Sequence, residues 1–161
     1  MRIFFPVLIL AIFMTACDES RVYEKNHDFE ERMWPVTEKP EFEFEIKDAQ
    51  VNYNLYCDVR NTISFPYTRI FINYYLEDSS GVLLREKLTS TYLFDQDTGK
   101  PLGTSGLGDI YDHRTPILNN YHFAHPGKYR IRFEQYMRMD TIPGILAAGL
   151  RVEKAGIPVN N

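Results

Sequence analysis

The sequence has little of what usually betrays an activity. It holds two cysteines and one tryptophan in 161 residues. Two cysteines cannot build a disulfide scaffold. No apolar run reaches 18 residues, which excludes a bundle of membrane-spanning helices. Basic residues are outnumbered, 18 against 22 acids, for a formal charge of −4. That balance disfavours general nucleic-acid binding. Nucleophile elbow, internal repeat and low-complexity block are all lacking. No window shows the 3.6-residue period of an amphipathic helix. What is there is 44% hydrophobic and 14% aromatic, too apolar for a disordered chain. The length suits one ordinary domain.

The first residues read as an address. Met1-Arg2 carries one positive charge, Ile3 to Phe13 is apolar, and Met14-Thr15-Ala16-Cys17 sets two small residues before a cysteine. A short apolar core of this kind is a secretory signal rather than a span. Met14 to Cys17 also resembles the lipobox of bacterial lipoproteins. Residues 1–16 are therefore expected to be a signal peptide, and Cys17 the lipid-bearing first mature residue. Several acyl chains hold a protein durably on a bilayer. Lipidation leaves Cys57 as the one thiol, so no intramolecular disulfide can form.

Residues 17–40 read as the lipidated cysteine and an acidic tether, with Asp18, Glu19, Glu24, Asp28, Glu30, Glu31 and Glu38 and no apolar period. Trp34 reads as a cap on the domain's end. From residue 41 the period is two. Phe42, Phe44 and Ile46 alternate with glutamates. Val51 to Val59, Ile70 to Leu76 and Tyr129 to Phe133 alternate in the same way. Each run predicts a strand with one buried and one wet face. Shorter strands are expected at 82–89, 90–94, 117–124 and 146–153, with turns at Asp78-Ser79-Ser80-Gly81 and His125-Pro126-Gly127. The expected fold is an all-β antiparallel sandwich over 41–154, immunoglobulin-like or jelly-roll-like, of seven to eight strands. Residues 155–161 form a C-terminal tail.

Motifs with possible chemistry weigh toward plain structure. Gly99 to Gly108 concentrates four of nine glycines, but Lys100 precedes them and no helix follows. That is no phosphate loop, and an irregular crossing between sheets accounts for it. His122 and His125 would point to opposite faces of a strand, so no metal is expected. Asp95-Gln96-Asp97 lacks the glutamate that closes a calcium loop, Gly106 standing there instead. Cys57 falls on the apolar face of its strand and reads as a buried thiol. No catalytic residue, cofactor or small-molecule substrate is expected. Tyr56 and Tyr75 fall on faces assigned to solvent, where aromatics serve as sugar platforms or protein anchors. Lys128, Arg130, Arg132 and Arg138 make one basic stretch. Tyr56, Tyr75, Arg130 and Arg132 are the candidate partner-binding residues.

The order of several segments resembles the GldH family of gliding-motility lipoproteins of Bacteroidetes. These are Cys17-Asp18-Glu19-Ser20, Trp34, Phe42-Glu43-Phe44 and Tyr53 to Asn61, then Phe65-Pro66-Tyr67, Leu102-Gly103 and Gly108-Asp109-Ile110. Gly127-Lys128-Tyr129, Glu134 to Arg138, Ile142 to Ile145 and Gly149 to Lys154 complete the series. The resemblance implies a non-enzymatic, lipid-anchored envelope protein tied to gliding and to the type IX secretion system. Its expected partners are the membrane, through Cys17, and other envelope or secretion proteins. Its expected place is the outer membrane, the periplasmic face preferred. Two rival readings stand beside it: a surface carbohydrate-binding lipoprotein of a glycan-uptake system, and an envelope hydrolase on a sandwich fold.

Overall fold

The computed structural model describes residues 20–156. The expected signal peptide, Cys17 and the end of the expected tail lie outside the described residues. Eleven strands occur among those described: β1 Arg21–Asp28, β2 Met33–Pro35, β3 Glu41–Ile46, β4 Tyr53–Thr62, β5 Arg69–Asp78, β6 Leu83–Tyr92, β7 Thr104–Ser105, β8 Ile110–Tyr121, β9 Gly127–Gln135, β10 Thr141–Pro143 and β11 Ile145–Lys154. A single 3-10 turn, Glu30–Arg32, stands between β1 and β2. One sheet runs β1-β11-β4-β8-β7 and the other β3-β9-β5-β6, with β2 and β10 as a small third sheet. Every pairing is antiparallel.

The period-two runs dictate how the two large sheets meet. Phe42, Phe44, Ile70, Ile72, Tyr74, Leu76, Ile131 and Phe133 face inward from one sheet. Leu55, Cys57, Val59, Leu150 and Val152 face them from the other, all buried in one cluster. Each large side chain taken fully from water contributes roughly 1.5–3 kcal/mol. The core therefore needs no disulfide or metal. Cys57 is buried as expected, and burial pushes its thiol pKa well up.

Three expectations are corrected. The stretch expected to be a tether belongs to the domain: β1 pairs along β11, with Lys25 opposite Leu150. The strand signal there was hidden because β1 buries little apolar surface and is held by polar contacts. Asn26 lies against the bare Cα of Gly149, where a Cβ would collide with its Oδ1. The strand count is eleven, not seven to eight, because β1, β2, β7 and β10 carry no period that a sequence shows. The runs at 82–89 and 90–94 are one strand, β6, while the strand expected at 117–124 begins earlier, at Ile110.

Trp34 is fully buried. It stacks on Phe29 at 4.7 Å between ring centroids, and its Nε1 donates to the Glu38 carbonyl at 2.8 Å. It closes the sandwich end where β1 finishes, here called the distal end. The glycine-rich run between Gly99 and Gly108 carries the chain from β6 in one sheet to β7 in the other. At the opposite, proximal end β1 begins. There Arg21 faces Glu153, Tyr53 faces both Lys154 and Tyr121, Ile46 faces Gly127, and Asp78 faces Tyr129.

Candidate functional site

Alternation along β5 and β9 sends a second set of side chains outward, away from the core. On β5 these are Arg69, Phe71, Asn73, Tyr75 and Glu77. In register, Tyr75 stands beside Arg132 of β9 and Glu86 of β6, and Glu77 beside Arg130. The same sheet face thus gathers three of the four predicted contact residues: Tyr75, Arg130 and Arg132.

Their geometry is a lattice of paired groups. The Arg132 guanidinium lies over the Tyr75 ring, 4.4 Å from its centroid. The Tyr75 hydroxyl donates to Glu134 at 3.0 Å and accepts from Asn73 at 2.8 Å. Asn73 also donates to Glu86 at 2.9 Å. Burial, with the Glu134 carboxylate next to it, raises the Tyr75 pKa. Burial pushes Glu134 the other way from its charged form, but hydrogen bonds from Lys39 and Tyr75 outweigh it and hold its pKa low. Arg130 reaches Glu77 at 2.7 Å and Glu41 at 3.5 Å. Its hydrogen bond to Glu77 holds its pKa above the ordinary arginine value.

The basic stretch of β9 is therefore not a free positive patch. Glu41, Glu43 and Glu45 of β3 face Arg132, Arg130 and Lys128 across one ladder, and Glu77 serves Arg130 and Arg132 from the other side. Acids and bases alternate strand by strand.

A second arginine–aromatic cluster lies nearer the distal end of the face. The Arg69 guanidinium sits 4.5 Å from the Phe71 ring centroid and 4.8 Å from that of Tyr92. It also donates to the Tyr92 hydroxyl at 2.9 Å. Tyr136 is 63% exposed, and its backbone N–H donates to Phe71 at 2.8 Å. Between the clusters is a depression of about 440 Å³ lined by Asn73, Tyr75, Glu86, Lys87, Leu88 and Tyr136. Sequence reasoning missed Arg69, Phe71, Tyr92 and Tyr136. Arg69 and Phe71 alternate with the buried Ile70 and Ile72, so the period of two does put them on the wet side of their strand. Tyr92 and Tyr136 join them only through the pairing of β6 and β9 with β5.

Tyr56 lies elsewhere, on the outer face of the five-stranded sheet, between Arg151 and Pro116 in register. That face carries ion pairs: Arg114 to Asp58 and Glu24, each at 2.7 Å, and Arg60 to Asp112 at 2.7 Å. Tyr56 is half-buried, and burial followed by the charge of Glu153 raises its pKa. His122 reaches Asn52 at 3.3 Å, while the His125 carbonyl accepts from Tyr129 at 2.7 Å.

A family model described as GldH lipoprotein matches residues 21–152. A gliding motility lipoprotein GldH homolog of Christiangramia forsetii is 27% identical over 165 residues, covering 96% of this chain and 99% of that protein. Gliding motility lipoprotein GldH of Flavobacterium johnsoniae is 23% identical over 158 residues, covering 92% and 94%. Among solved structures, the infectious bursal disease virus VP2 subviral particle aligns at a TM-score of 0.38 and 12% identity. That alignment covers 86% of this chain and 31% of the viral one.

Proposed function

The chain belongs to the GldH lipoprotein family, and from that premise we propose a lipid-anchored, non-enzymatic interaction component of the cell envelope that serves gliding and type IX protein secretion. Cys17 carries the lipid and holds the protein on the outer membrane, facing the periplasm. The outer face of β3-β9-β5-β6 is the surface that meets a protein partner.

The observation that carries this reading is the pair of arginine–aromatic clusters, Arg132 on Tyr75 and Arg69 between Phe71 and Tyr92. Tyrosine and arginine are the residue types enriched at the energetic centres of protein interfaces. Here both are held in place by neighbours, so little side-chain entropy remains to be lost on binding. The alternating charges favour a partner surface of mixed charge over a purely acidic one. Sugar recognition by stacking needs an open ring face. Guanidinium groups already cover Tyr75, Phe71 and Tyr92, which argues against the glycan reading.

Deletion of the gene, with quantitative proteomics of medium and cell surface, tests the role. Selective loss of many secreted proteins, restored by the wild-type gene and not by an Arg69→Ala/Tyr75→Ala variant, is the expected result. An unchanged secretome would overturn the secretion role. Full rescue by the double variant would overturn the surface.

A further inference from the structure

We propose that the proximal end of the sandwich rests on the lipid surface and that Val82-Leu83-Leu84, the apolar residues leading into β6, are its point of contact. The proposal builds on the reading that Cys17 is lipidated.

Little chain is available between the lipid and the domain. Ser20 is already tied to the domain, its carbonyl accepting from the Lys154 N–H at 2.8 Å. Three residue steps separate Cys17 from Ser20, and three extended steps span at most about 11 Å. A leash that short is comparable to the headgroup layer and cannot let the domain stand away from it. A 23-residue tether would have left the domain's orientation open, but β1 consumes that tether.

The proximal end also presents apolar side chains. Val82, Leu83 and Leu84 are 56%, 49% and 42% exposed and consecutive. A run of three exposed apolar side chains at one turn is unusual for a wet surface. The turn before them is held in shape. One Asp78 carboxylate oxygen accepts from the Ser80 N–H at 2.9 Å, the Ser80 hydroxyl at 2.6 Å and the Val82 N–H at 3.0 Å. Gly81 supplies the left-handed residue, at φ +82°. The apolar residues are thus displayed at no further ordering cost. Leu84 also borders a depression of about 260 Å³ with Tyr121, His122, His125 and Pro126.

Arg21, Lys47, Lys128 and Lys154 stand at this end with Glu43, Glu45, Asp48 and Asp78, so neither sign dominates. The contact is therefore apolar insertion rather than electrostatic attraction, and it should persist at high salt. A second copy pairing antiparallel along the β6 edge would send its own proximal end the opposite way. Two copies so arranged could not both reach one membrane through leashes this short.

The test uses the lipidated protein purified from membranes and reconstituted into phosphatidylethanolamine–phosphatidylglycerol vesicles containing doxyl-labelled lipid. Leu83→Cys is labelled with a polarity-sensitive fluorophore. Cys57 is buried, and the lipid occupies Cys17, so the new thiol is the one that reacts. Leu107→Cys, at a 90% exposed position in the chain crossing beside β7, is the reference. The label at 83 is expected to be quenched by doxyl lipid at least twofold more than the label at 107, and to stay so at high salt. Equal quenching, with the protein fully in the vesicle fraction, would overturn the seat and leave the anchor standing. A label at 83 that is shielded from water yet unquenched by doxyl lipid would mean a protein covers β6, and would also overturn it. A chain that stays out of the vesicles and carries no acyl group on Cys17 would overturn the anchor, and the seat with it.

Discussion

Glu24 and Arg114 are 90 positions apart in the chain, yet a 2.7 Å charge-assisted hydrogen bond joins them. The same guanidinium holds Asp58 at 2.7 Å, and the other oxygen of Glu24 takes Arg151 at 2.8 Å. The bond fastens edge strand β1 across β11 and β4 to β8. Burial pushes the Glu24 pKa up, but the hydrogen bonds from Arg21 and Arg114 and the charge of Arg151 outweigh it and hold the pKa below the ordinary value.

The lowered pKa sets a direction for acid stability. The contribution of Glu24 is complete above the unfolded glutamate pKa, about 4.3. It is lost as pH falls through the lower folded value. Glu24→Gln should cost about 1 kcal/mol at neutral pH, a charge-assisted bond discounted for partial exposure. It should also flatten the fall in stability on acidification. Denaturant melts of both proteins at neutral and acid pH check this; a variant with an unchanged acid limb would contradict it.

Hydrogen exchange should report the same bond locally. In Arg114→Ala the backbone amides of β1 are expected to exchange faster, while those of β5 and β9 keep their protection. Uniform acceleration across both sheets would mean that Arg114 acts on the whole fold instead.

Gly144 and Gly81 share a left-handed φ, +81° and +82°, but not their surroundings. A Cβ on Gly144 would stand 2.7 Å from the Phe65 nitrogen and 2.8 Å from its Cα, whereas one on Gly81 meets nothing within 4 Å. Gly81→Ala should cost only the conformational strain, about 1–2 kcal/mol. Gly144→Ala must also displace backbone that accepts from Thr62 and donates to Arg32, and should cost clearly more. Paired thermal melts decide it; equal shifts in Tm would refute the argument.

Cys57 should be silent in the folded protein. It is 1% exposed, and burial raises its pKa, so neither access nor thiolate is provided. In a Cys17→Ser chain, a thiol reagent is expected to react only as denaturant unfolds the domain. Stoichiometric reaction without denaturant would place the thiol at the surface.

On the proposed docking face, loss of binding should part from loss of stability. Tyr75→Ala and Arg69→Ala should each weaken partner capture about 30-fold, the effect of losing an interface anchor worth roughly 2 kcal/mol. Tyr56→Ala, on the opposite face, should leave capture unchanged. Affinity for a partner recovered by crosslinking in cells is the measurement. Losses that track Tm rather than the face would turn the reading into one of stability.

The alternation of Phe42, Phe44 and Ile46 with glutamates, and of Ile70 to Leu76 and Tyr129 to Phe133 with their wet neighbours, states the two-sided strands directly. A residue's face in a strand depends only on its place in a period of two. For the same reason Cys57 could be assigned to the core, and Tyr75, Arg130 and Arg132 each to the wet face of its own strand, while only the pairing of β5 with β9 put them side by side. The strand β1 was not legible, because its stability comes from partners such as Arg114, Arg151 and Gly149 that only long-range pairing brings near. Nor could one see that Glu41, Glu43 and Glu77 neutralise the basic stretch, since register between strands is set by packing rather than by either strand alone. Local periodicity thus decides which way a side chain points. Which charges and rings then stand beside it depends on how distant segments pair.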